Sequence, residues 1–146
     1  MAEPELPRSA LARIAALSEA EPGREVCGLL LLGAGGACEV WPCRNVSPAP
    51  ARAFDLDPGD LLEALERADE ANLAVAAVYH SHPGGGPGLS RRDRGGALAG
   101  DLPLVPGAAL LVVARREGGP PRILRFRWTG QGYSEGEIVF GDGPGP

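Results

Sequence analysis

The two histidines of this chain, His80 and His82, close an apolar run that begins at Val75. On a β-strand, residues i and i+2 point to one side, so both imidazoles can converge on one cation. Seven residues, Pro83 to Leu89, separate them from Ser90, and Asp93 lies three further on. If 90–93 is the first turn of a helix, Ser90 and Asp93 share a face. The glycines of Gly84-Gly85-Gly86 let the connection fold back and bring Asp93 to the histidines. Two imidazoles, one carboxylate and a water form a catalytic zinc shell with one position open. A zinc so held lowers the pKa of its water from about 16 to about 7. Amide hydrolysis then needs a base to pass the water's proton to the leaving amine.

Singly, these residues have plainer readings. A His-x-His pair on a strand is often structural. Ser90-x-x-Asp93 is also the pattern of a helix start. Gly84-Gly85-Gly86 could suggest a phosphate cradle, but the Lys-Ser/Thr that such a loop needs does not follow. Cys38-x4-Cys43 has poor zinc-finger spacing and no second pair. Glu25, at the start of a strand, is unremarkable by itself.

The elements that must position these groups follow from periodicity. Leu11, Ile14, Ala15 and Leu17 recur at helical spacing after Ser9, a good N-cap, so 10–20 reads as a helix. Residues 25–32, ending in Leu29-Leu30-Leu31-Leu32, are apolar and too short for a free helix, so they read as a buried strand. A turn over Gly33 to Gly36 leads to a partner strand from Cys38 to Asn45. Phe54-Asp55-Leu56 reads as a short strand. Asp57-Pro58 then opens a helix over 58–71 with an N-cap and an N1 proline. Strands follow at 75–80, 109–115, 122–128 and 133–140, with a weak helix over 90–99. The expected architecture is one layered α/β domain over 1–140, a mixed β-sheet flanked by helices, with a flexible tail at 141–146.

A length of 146 residues suits one domain, and 44% hydrophobic content is ordinary. The 22 glycines and 15 prolines fall mainly in loops. A net charge of −5 disfavours a general nucleic-acid binder. No apolar run nears the ~18 residues of a membrane span, and the acidic start is not a signal peptide. Three cysteines are few and odd in number, which argues against a disulfide-stapled secreted domain. A cytoplasmic protein is expected. All fourteen basic residues are arginine. Codon usage in a GC-rich genome explains this, and protection from self-conjugation at lysine is the sharper alternative.

Taken together, Glu25-x-Cys27-Gly28, Phe54-x-x-Asp57-Pro58, Tyr79-His80-Ser81-His82-Pro83 and Ser90-x-x-Asp93 resemble the JAMM (JAB/MPN-type) metalloprotease family. The resemblance covers roughly 9–128, and the short stretch 100–108 is similar to the compact bacterial type. It implies a JAB/MPN-like, cytidine-deaminase-like fold with Zn2+ on His80, His82 and Asp93. It also implies Glu25 as general base and Ser90 as oxyanion donor. The implied reaction is hydrolysis of an amide or isopeptide bond at the C-terminus of a ubiquitin-like or sulfur-carrier protein ending in Gly-Gly. Amino-acid release, carrier trimming and removal from a target lysine stay open, as does oligomeric state. A non-catalytic MPN scaffold would usually lack a ligand, and none is missing here. A nucleobase deaminase would need His-x-Glu and Cys-x-x-Cys, which are absent.

Overall fold

The computed structural model describes residues 5–86, 98–99 and 102–141. The elements run α1 (Arg8–Glu19), β1 (Cys27–Leu32), a 3-10 turn (Ala34–Gly36), β2 (Cys38–Cys43), α2 (Pro58–Ala71) and β3 (Ala74–His82). They continue with β4 (Leu98–Ala99), β5 (Leu102–Pro103), β6 (Ala109–Ala114), β7 (Arg122–Phe126) and β8 (Glu137–Phe140). Six strands form one sheet in the order β2-β1-β3-β6-β7-β8, and β4 and β5 pair separately. The β3–β6 contact is parallel and the other pairings are antiparallel. The expected mixed sheet is present.

The helices cover opposite faces of that sheet. Ala64 and Ala68 of α2 pack with Cys27, Leu29, Leu31, Val78, Leu110 and Val112. Ala10, Leu11, Ile14 and Ala15 of α1 pack with Leu30, Ala77, Tyr79, Leu111 and Val113. Burial on both faces explains why β1 and β6 read as continuous apolar runs rather than alternating ones. Each fully buried leucine here contributes about 1.5–3 kcal/mol.

Local chemistry sets the element ends. Asp57 accepts a hydrogen bond from the Asp60 N–H at 3.0 Å, and Pro58 starts α2, as the sequence predicts. Ser9 does not cap α1. The helix begins two residues earlier, at Arg8, with Pro7 at the N-cap and no side-chain cap bond. The Pro7 carbonyl already receives the Ala10 and Leu11 N–H groups, so Ser9 lies inside the first turn.

Other boundaries shift for tertiary reasons. Phe54–Leu56 is reduced to one bridge between Asn45 and Leu56. The strand expected over 133–140 starts at Glu137, because Tyr133 turns back to bridge Trp128. β3 extends through His82, held by its parallel partner as far as Ala114. Leu98 and Ala99, expected to end a weak helix, lie in β4. The rest of that segment, 90–97, and tail residues 142–146 lie outside the described residues. Among the described residues, no helix is long and apolar enough to cross a membrane.

Candidate active site

The site forms where β1 and β3 run side by side. Cys27 pairs with His80 in the antiparallel register, and the same register carried backwards sets Glu25 opposite His82. Residue 25 lies just before the ladder, yet Ser81 extends the pairing. The Val26 N–H donates to Ser81 Oγ at 2.8 Å, and the Ser81 N–H donates to the Val26 carbonyl at 2.9 Å. Strand alternation then sends Glu25, His80 and His82 to the α2 side and Ser81 to the other. One ligand atom from each of Glu25, His80 and His82 lies within 4.8 Å of the other two.

Each imidazole is fixed by a neighbour. His80 is fully buried and stacks on Phe54, with ring centroids 4.2 Å apart and planes 14° from parallel. His82 Nδ1 donates to the Gly86 carbonyl. A carbonyl can only accept, so that contact puts the His82 proton on Nδ1 and leaves Nε2 as the lone-pair atom. A turn shapes the loop that supplies this acceptor: the Gly85 N–H donates to the His82 carbonyl at 2.9 Å. Gly85 has φ +89°, and a Cβ there would stand 2.7 Å from the Arg115 carbonyl oxygen. Only glycine fits both conditions.

The donor set fits a tetrahedral divalent ion. Two imidazole nitrogens each about 2.0–2.1 Å from zinc stand about 3.3 Å apart, and His80 Nε2 and His82 Nε2 are 3.1 Å apart. Glu25 is buried and adjoins a cleft of about 360 Å³ lined by Val26, Pro42, Arg44 and Asn45, among others. The cleft also takes in Leu17, Ala20 and Tyr79 from the α1 side, so it borders the Glu25 segment from the face opposite the histidines. Ser90 and Asp93 lie outside the described residues.

The site's surroundings contain groups the sequence reading passed over. Asn45, Phe54 and Ser81 each hold a candidate functional segment or ring in place. The one local hint is Asn45-x-Ser47, whose spacing suits an Asx turn. Cys27 is a small buried group, as expected. Burial pushes its thiol up to about 12 and that of Cys43 up to about 12. Tyr79 is raised further by the same cause.

The family of prokaryotic homologs of the JAB domain matches this sequence over residues 7–128. The chain belongs to the JAB/MPN family, in its prokaryotic branch. A desampylase of Haloferax volcanii is 32% identical over 117 residues, covering 79% of this chain and 77% of that protein. A Thermus thermophilus protein named probable TtuB-protein conjugate cleaving protease is 44% identical over 54 residues, covering 37% of this chain and 36% of that one. The solution structure of a Desulfitobacterium hafniense protein aligns at a TM-score of 0.70 and 22% identity, covering 89% of this chain and 86% of that one. At that identity the likeness concerns the fold.

Proposed function

We propose that this chain is a cytoplasmic, zinc-dependent isopeptidase acting at the C-terminal end of a ubiquitin-like or sulfur-carrier protein. The convergence of Glu25 with His80 and His82 carries this reading, in a chain resembling a desampylase over most of its length. His80, His82 and Asp93 would hold the zinc. When bound, the ion supplies Lewis-acid chemistry that acidifies water at neutral pH.

The protein's own groups do the rest. Glu25 takes a proton from the attacking water at a carboxylate oxygen and passes it to the leaving amine nitrogen as the C–N bond breaks. Its burial keeps bulk water from competing for that proton. Ser90 Oγ donates to the carbonyl oxygen while negative charge gathers there. A carrier tail ending in Gly-Gly brings no side chains, so its backbone can pass close to Glu25 and the histidines.

The test is zinc content and cleavage of carrier–protein conjugates by wild type, Glu25→Gln and His80→Ala. Wild type should hold about one zinc per chain and cleave. Glu25→Gln should keep zinc and lose about 10²- to 10⁴-fold in rate. His80→Ala should lose both. Zinc-free wild type after metal supply, or near-normal rates in Glu25→Gln, would overturn the reading.

A further inference from the structure

We propose that Asn45 is the positioning residue of this site, setting the distance between the general base and the first imidazole. This rests on the isopeptidase reading for the role of Glu25. Asn45 is buried just past the end of β2, and its carboxamide uses its full bonding capacity. Nδ2 donates to the Glu25 carbonyl at 3.0 Å and to the Ala53 carbonyl at 2.9 Å. Oδ1 accepts from the Ser47 N–H at 3.0 Å and from the Asp55 N–H at 3.0 Å.

The pattern of partners carries the argument. Ala53 and Asp55 flank Phe54, the residue stacked on His80. One amide therefore grips the backbone of Glu25 and, on both sides, the backbone that presents the wall of His80. The segment it organises returns a second grip, because the Glu25 N–H donates to the Pro50 carbonyl at 2.7 Å. Glu25 precedes β1, so these bonds and the Ser81 contact to Val26 stand in for the ladder it lacks. Loss of the Asn45 donors frees the base relative to the imidazole while leaving β1 and β3 paired.

Asn45→Asp is the decisive variant. It keeps both Oδ1 acceptor bonds and sets an oxygen against the two carbonyls that Nδ2 now serves. Misplacing a reacting group by about 1 Å costs about 100-fold. We therefore expect kcat on a carrier conjugate to fall at least about tenfold, with KM within about twofold and zinc near one per chain. Hydrogen exchange at the Glu25 amide should quicken at least about tenfold, while the Leu29 and Leu111 amides keep their protection. If Asn45→Asp does not fold, Asn45→Ser, which keeps one small hydroxyl, is read by the same criteria.

An unchanged kcat, or a loss carried by KM alone, overturns the proposal. So does unaltered Glu25 exchange. If wild type cleaves no conjugate, the isopeptidase reading fails by itself. The exchange result then still decides whether Asn45 holds Glu25.

Discussion

Phe54 lies flat on His80, 4.2 Å between ring centroids and 14° from parallel. The phenyl ring is itself buried in the core beside α2, so His80 cannot tip away without opening that core. Phe54→Leu keeps an apolar side chain and removes the flat wall. Stability by chemical denaturation should drop by about 1–2 kcal/mol, as for other imperfect core swaps. Zinc affinity should fall about tenfold, the size seen when an orienting neighbour of a ligand is lost. Unchanged affinity in competition with a chelator would show that the ring does not orient His80.

Metal removal should be visible without any substrate. A ligand that binds only the folded state stabilises it by about 2.7 kcal/mol at a hundred times its dissociation constant. Calorimetry should show a higher melting temperature with zinc than with chelator. In His80→Ala the two traces should coincide.

Gly28 marks the tightest contact between β1 and its neighbours. A Cβ there would stand 2.4 Å from the Trp41 carbonyl oxygen and 2.5 Å from the Tyr79 hydroxyl. Neither can retreat cheaply, since one is backbone and the other is fully buried. Gly28→Ala should cost about 1–3 kcal/mol by the overpacking rule, measured by urea unfolding. A neutral result would mean that β1 and β2 can part without loss.

One buried thiol, Cys27, and one half-buried thiol, Cys43, make alkaline stability predictable. Burial raises Cys27 from 9.0 to about 12, and Cys43 likewise. A thiol raised on folding favours the native state fully below its unfolded value, and that contribution is lost as pH climbs through the folded one. Stability should therefore decline between about pH 9 and pH 12. Replacing both residues with alanine should make the decline shallower, leaving the part that the buried Tyr79 hydroxyl adds at higher pH. At pH 8, a thiol reagent should leave Cys27 unlabelled in the native protein and label all three cysteines after unfolding.

The legible parts of this protein were those with local causes. Asp57-Pro58 carries a cap and an N1 proline, and α2 starts there. His80-x-His82 lies on a strand because an apolar run precedes it, and the strand's period aims both rings one way. Asn45 was illegible because three of its four bonds reach residues 8 to 20 positions away. Periodicity does not register such contacts, and the Asn45-x-Ser47 spacing announces only the Asx turn that supplies the fourth bond. Ser81 was hidden differently. In the motif it is the spacer between two histidines, yet the fold turns it to the opposite face and uses it to dock Val26. Tyr133 joined a turn instead of a strand because an aromatic edge contact with Trp128 was available, with centroids 5.3 Å apart.

Glu25 and the histidines are brought together by segments that meet across 55 positions of sequence, the separation of Val26 and Ser81. A growing chain on the ribosome therefore cannot bring these three groups together until residue 82 has emerged and β3 has docked beside β1. Copies that end before β3 lack the cluster. A hydrolase of conjugated proteins is thereby kept from acting on its surroundings while it is still being made.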